Sequence, residues 1–255
     1  MGMQIFEKSG TFNPADWGLG VGDMVQVVCV GGGCSGDIGA INDDNRDKSI
    51  QGKSGGNSSF GGYVKAFGGS QMDTKICMGL GGKSAFNYDR SDDIFAPAGG
   101  AGGYMIGIPF YGGNGGDGWY TKRETTMSVP ITENLPTGLG ASGYMNAPFG
   151  YYEFAVGLPY ANLHSNRGGN KGAGLRGGNG YGAGGGAAGR VLGQADPQFY
   201  SGGNSGQIQF GTVKLLSAEE IPVIVGKGGD PNSYSDMYMN LTSGKGADGV
   251  VVVTW

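Results

Sequence analysis

The sequence is poor in what most enzymes and helical folds rely on. It holds one histidine, three cysteines and only 15% charged residues in a chain of 255. It also lacks any long stretch free of glycine and proline. The longest, 83–96, runs 14 residues, and its apolar residues (Ala85, Phe86, Tyr88, Ile94, Phe95, Ala96) gather at its ends instead of recurring at a helical period. Glycine costs a helix about 1 kcal/mol and proline about 3, so helical bundles, Rossmann folds and (β/α) barrels are excluded. No apolar run approaches the roughly 18 residues of a membrane span, and no membrane insertion is expected. The opening MGMQIFEKSG lacks the basic start and apolar block of a secretion signal. Cys29, Cys34 and Cys77 form no C-x-x-C pair and read as free thiols of a reducing compartment. Together with His164 they make no recognisable metal-ligand set, so no metal or cofactor is expected. With a net charge of −4, a pI near 5.0 and no basic run, nucleic acid is not an expected partner.

What the chain has in excess is glycine, 58 of 255 residues, against a usual share of about 7%. No strict Gly-X-Y register covers it and proline is scarce, which excludes collagen. Low net charge and 11% aromatics argue against a disordered polymer. A few segments read as conventional strands, about 24–31, 207–226 and 249–255. MVQVVCV at 24–30 is rich in β-branched residues. QIQFGTVKLL at 207–216 alternates, and IPVIV at 221–225 follows four residues suited to a hairpin turn. VVVVTW ends the chain as an apolar run expected to be buried on both faces. The early and the terminal strand are expected to pair, bringing the chain ends together. Residues 4–6, 11–12 and 63–67 are weaker strand candidates.

Between these strands lie glycine blocks, and 31–206 is expected to form a glycine-rich lattice with loops. The longest block, GGNKGAGLRGGNGYGAGGGAAG at 168–189, has a period of three. Positions 168, 171, 174, 177, 180, 183, 186 and 189 are glycine at six of eight, with Gly168, Gly174, Gly177, Gly180, Gly186 and Gly189 on one ridge. A left-handed extended helix has about three residues per turn and no internal hydrogen bonds. Such rods stack side by side, exchanging backbone N–H and C=O bonds, where the touching ridge has no Cβ. Ordering glycine is entropically expensive, so the stack must be extensive and clamped by apolar packing. The fold class expected is therefore all-β and irregular: one domain over 1–255, short strands from both chain ends clamping a stacked polyglycine-II-type core with aromatic loops, and essentially no α-helix. The competing reading is flexible glycine loops on a small β domain. Against it, the blocks are studded with bulky residues such as Tyr104, Met105, Ile106, Phe110, Trp119 and Tyr120, unlike flexible linkers.

The run Ser9-Gly10-Thr11-Phe12, followed by Met24 to Gly33 (MVQVVCVGGG), resembles the opening of the glycine-rich domains of bacteriophage tail fibres. Gly56-Asn57-Ser58-Ser59-Phe60-Gly61, then Ile221-Pro222-Val223-Ile224-Val225-Gly226-Lys227-Gly228-Gly229, then Gly246-Ala247-Asp248-Gly249 with the closing valine strand, are similar to later segments of that family in the same order. The matches spread over nearly the whole chain. Residues 13–17, 34–54 and 119–167 depart from the pattern. The resemblance implies a bacteriophage virion protein without enzymatic activity, a tail-fibre or fibre-tip adhesin made in the bacterial cytoplasm and carried on the virion. It implies a bacterial surface protein or glycan as receptor, other fibre or capsid proteins as neighbours, and a homotrimer as one candidate assembly.

Sequences that invite catalytic readings fail on spacing. Gly82-Lys83-Ser84 and Gly52-Lys53-Ser54 lack the phosphate-loop glycine five positions earlier, where Cys77 and Asp47 stand. Residues 112–120 fit a calcium β-roll nonapeptide once, without the tandem copies that the roll needs. His164 has no nucleophile or orienting acid in a recognisable motif. Paired carboxylates for glycan hydrolysis leave a depolymerase as an alternative. A capsid or tail decoration protein and a polyglycine ice-binding protein are the others. Residues that glycine leaves alone are the candidate receptor contacts: Trp119, Tyr120, Tyr144, Phe149, Tyr151, Tyr152, Tyr160 and His164. The segment 144–160 carries most of them. Aromatics among small polar residues suit an adaptable binding surface, and loops on a rigid scaffold are where binding residues concentrate. The same aromatics would also serve as core.

Overall fold

The computed structural model describes residues 2–41, 48–73, 77, 85–89, 92–96, 100–101, 103–104, 106, 120–123, 131–133, 170–172, 180–186, 188–191, 202–235 and 239–255. Among them the protein is all-β. The one helical element is a single 3-10 turn, Pro14–Trp17, capped by Asn13, whose side chain accepts from the Ala15 amide.

Two four-stranded sheets pack face to face. The first has the order β1 (Met3–Phe6), β18 (Val250–Thr254), β3 (Met24–Val30), β14 (Ile208–Lys214), antiparallel throughout. The second has the order β2 (Gly10–Phe12), β15 (Ile221–Ile224), β6 (Ser58–Phe60), β7 (Val64–Ala66). Side chains of a strand alternate between faces. Val25, Val27 and Cys29 of β3 and Val251 and Val253 of β18 therefore meet Phe12, Phe60, Val64, Ile221 and Val223 of the other sheet in one core. The opposite face of β18, Val250 and Val252, is buried too, under Tyr104 with Ile106 and Tyr181. This is why the closing strand reads as a continuous valine run. The chain ends meet: Gly2 and Trp255 exchange both backbone bonds, at 2.7 and 3.0 Å.

The segment 207–226 is not a hairpin. β14 pairs with β3, whereas β15 pairs with β2 and β6 in the opposite sheet. Leu215 and Ile221 both face the shared core, so residues 216–220 carry the chain from one sheet across to the other. Conventional strands also extend beyond the three expected zones. The weaker candidates 4–6, 11–12 and 63–67 form β1, β2 and β7, which with β6 complete the sandwich, and further strands lie within 31–206. These are β4 (Ile38–Ile41) and β5 (Lys48–Ile50) with β13 (Ala188–Val191); β12 (Asn170–Gly172) with β16 (Ser233–Ser235) and β17 (Met239–Thr242); and the antiparallel set β8 (Ala85–Asp89), β9 (Asp92–Ala96), β10 (Tyr120–Arg123) and β11 (Ile131–Glu133).

Between the sandwich and these outer strands runs a bundle of extended glycine-rich segments held by backbone bonds. Segment 31–36 is its centre. Gly31 and Cys34 donate to Gln207 and Asn204, Gly32 and Ser35 to Gly56 and Lys53, Gly33 and Gly36 to Ala247 and Gly244, all at 2.8–3.1 Å. Donors three apart thus reach the same neighbour. Carbonyls of the same segment accept from three others: Gly32 from Gly69, Gly33 from Gly229, Cys34 from Gly185. The six neighbours, 52–57, 67–70, 202–207, 182–186, 243–249 and 226–232, close into a ring in that order through further bonds: Gly55 to Gly69, Gln207 to Phe67, Gly203 to Gly185, Ala247 to Ala183, Gly246 to Gly229 and Gly56 to Lys227. Around the ring, segments leaving the sandwich alternate with segments returning to it.

Glycine is required by space. A Cβ on Gly31 would overlap the Phe67 carbonyl, one on Gly32 that of Lys227, one on Gly33 that of Ala183, and one on Gly246 that of Gly33. The bundle extends past the 31–206 window, since 226–232 and 243–249 belong to it. Of the six ridge glycines, Gly168, Gly174 and Gly177 lie outside the described residues. Gly180 sits at the entry to its segment with φ 92°. Gly186 accepts from Gly244. Gly189 lies instead in a pleated strand, β13, paired in parallel with β4; past the bundle's end, the chain pairs with one neighbour rather than several.

Candidate functional site

The bundle has a sandwich end and a remote end. At the first, Gly31, Gln207 and Gly249 adjoin β3, β14 and β18. At the second, Asp37, Gly52, Ser70, Gly100, Gly186, Gly202, Asn232 and Ser243 mark where described chain leaves or re-enters the bundle. All three outer sheets attach there: β4 follows 31–36, β5 precedes 52–57, β9 precedes 100–103, β13 follows 182–186, β16 follows 226–232 and β17 precedes 243–249.

Polar side chains lock this end. Asp37 Oδ1 accepts from the Gly52 amide at 2.8 Å and from Gln71 Nε2 at 3.2 Å, and Gln71 Nε2 also donates to the Gly202 carbonyl at 2.9 Å. Asn204 Nδ2 donates to the Ser70 carbonyl at 2.6 Å, and Ser35 Oγ accepts from the Lys53 amide at 2.8 Å. The Asn232 amide donates to Ser243 Oγ at 3.0 Å, and its side-chain N–H donates to the Gln51 carbonyl at 2.8 Å. These groups satisfy backbone partners where the rods end and no further rod residue is available. Sequence reasoning did not single them out. Their signal is positional, an Asn, Gln, Asp or Ser at the edge of a glycine block.

Cys34 and Cys77 lie near the lock, and Cys29 lies in the sandwich core. Burial pushes Cys29 and Cys34 up to about 12, opposed by backbone hydrogen bonds. Burial also raises Cys77, whose Sγ lies 3.3 Å from the Asp73 carbonyl. At the sandwich end, Tyr181 donates its hydroxyl to the Glu7 carboxylate. That bond, with burial and the Glu7 charge, pushes Tyr181 to about 12. On the bundle's flank, partial burial acts to raise Asp248, but bonds from Lys227 Nζ (2.7 Å) and the Gly228 amide (2.8 Å) and the charge of Lys245 outweigh it and hold the carboxyl below its ordinary value.

Of the candidate contacts, Trp119, Tyr144, Phe149, Tyr151, Tyr152, Tyr160 and His164 lie outside the described residues. Tyr120 opens β10, its backbone opposite Glu133 of β11. The stretch 134–169 is flanked by β11 and by β12, which pairs with β17 at the remote end. Among the described residues no group of three or more His, Cys, Asp or Glu side chains is placed to hold a metal ion, and no helix is long and apolar enough to cross a membrane. No protein-family model matches the chain, and no curated protein matches it in sequence.

Proposed function

We propose that this protein is a bacteriophage virion protein, a tail-fibre or fibre-tip adhesin that binds a bacterial surface protein or glycan without catalysing a reaction. The observation that carries the reading is the polarity of the molecule. The two chain ends and the sandwich stand at one pole, and the outer strands that flank 134–169 attach at the other, across a bundle fixed by backbone bonds. We take the bundle as a polyglycine-II-type stack whose role is to hold its remote end stiff. Tyr120, with Tyr144, Phe149, Tyr151, Tyr152, Tyr160 and His164 of the intervening sequence, supplies aromatic faces suited to sugar rings and apolar protein patches. Several copies on one particle, a trimer among the candidate arrangements, convert weak single contacts into firm attachment through effective concentration.

The test uses purified protein against cells of a susceptible host. Wild-type protein is expected to decorate the cells and compete with infection. A variant with 134–169 replaced by a short Gly-Ser linker should keep slow amide exchange at Gly33 and lose both activities. Unimpaired binding by that variant would refute the assignment of this segment, and absence of wild-type binding to every susceptible host would refute the adhesin. Labelled particles seen by electron microscopy distinguish a fibre tip from a decoration on the shell.

A further inference from the structure

Among the described residues the bundle grows outward on one side and stops on the other, and the outward residues differ. On the growing side residues 100, 101 and 103 lie against two ring segments. The Ala101 amide donates to Gly203 at 2.9 Å, and the Gly184 amide donates to Ala101 at 2.8 Å. The contact positions are bare: a Cβ on Gly100 would overlap the Gly184 carbonyl, and one on Gly184 the Gly203 carbonyl. Ala101 is fully buried.

On the stopping side the segments 226–232 and 243–249 turn a third ridge to solvent. Lys227 and Asp230 are exposed while Gly226, Gly228 and Gly229 are buried. Lys245 is exposed while Ser243, Gly244 and Gly246 are buried. The outward ridge thus recurs at a spacing of three and carries charged side chains where the inward ridges carry glycine. Asp248, three residues after Lys245, closes the Gly228 amide with its own carboxylate and ties Lys227 to the flank.

We infer that Lys227, Asp230 and Lys245 form a stop ridge that ends the rod bundle, and that what they exclude is a second copy of this chain adding its own rods to the same face. The physical ground is that of the interior: backbones exchange N–H and C=O bonds only where no side chain holds them apart. An exposed hydrogen-bonding edge invites further copies unless it is blocked. This inference is independent of the adhesin reading.

The test is sedimentation velocity over a concentration series on three proteins: wild type, Lys227→Gly/Asp230→Gly/Lys245→Gly, and Lys227→Gln/Asp230→Asn/Lys245→Gln. The glycine variant should sediment faster as concentration rises, whereas the amide variant, which keeps its side chains but not its charge, should match wild type. A glycine variant indistinguishable from wild type overturns the stop ridge. An amide variant that associates as strongly as the glycine variant does so too, because charge alone would then be the barrier. The opposite flank supplies an arm that does not depend on the glycine variant folding. Ala101→Lys should abolish exchange protection at the Ala101 and Gly184 amides while Gly33 and Gly229 stay protected. Unchanged protection at Ala101 would overturn the claim that ridge side chains decide where the bundle ends.

Discussion

At the scale of the residue, the same side chain is tolerated or forbidden according to the ridge on which it falls. Gly33 has the Ala183 carbonyl where its Cβ would stand, so Gly33→Ala should destabilise by at least the roughly 1–3 kcal/mol typical of overpacking. Lys227→Ala, on the exposed ridge, should stay within about 0.5 kcal/mol of wild type. Urea unfolding of the two variants checks the contrast. The buried thiols make a pH prediction. Burial pushes the Cys29 and Cys34 thiols from their ordinary 9.0 up to about 12. A folded value above the unfolded one gives stability that is complete below the unfolded value and lost as pH rises through the folded one. Tyr181, raised from 10.0 to about 12, acts in the same direction. Stability should therefore fall between about pH 9 and pH 12, and a urea midpoint unchanged over that range would contradict the assigned burial. At neutral pH, iodoacetamide should label Cys29 and Cys34 only after unfolding, as peptide mass mapping can read.

At the scale of the element, Ser58 joins the two building principles of the molecule. Its Oγ donates to the Val30 carbonyl at 2.5 Å and accepts from the Gly226 amide at 2.9 Å, at the point where β3 becomes the central rod and β15 becomes a ring rod. Ser58→Ala strands two buried backbone groups and should cost about 1–3 kcal/mol, with faster exchange of the Gly226 amide as its local sign. Which elements were legible beforehand follows from what specifies them. β3 and β18 are written in their own residues, because alternating or continuous valine has one stable destination. The glycine-to-Cβ logic is likewise local: a chain with no side chain every third residue must have something close there. The partner of β15 is not local. IPVIV fits a hairpin with β14 equally well by pattern, and only the common core of Leu215 and Ile221 decides for the opposite sheet. The lock residues Asp37, Gln71, Asn204 and Asn232 escaped notice for a similar reason. Each bonds a backbone group distant in sequence, Asn204 to Ser70 and Asn232 to Gln51, and no pattern along the chain announces such partners.

At the scale of the whole molecule, the described residues form a conventional sandwich continued by a bundle of backbones. The central segment 31–36 is enclosed on every side by hydrogen-bonded neighbours. Its amides should exchange more slowly than those of the outer strands, at rates near those of global unfolding. Exchange as fast as at an exposed turn would contradict the enclosure. The hub precedes in the chain every piece that surrounds it, the last being 243–249. Almost every bond that secures it spans a long loop, and such non-local closure makes folding slow. A nascent chain halted before its last valines would present its hub unfinished, so maturation is expected to be a single late event, and stopped-flow refolding should show the Gly33 amide becoming protected in the same slow phase in which β18 docks.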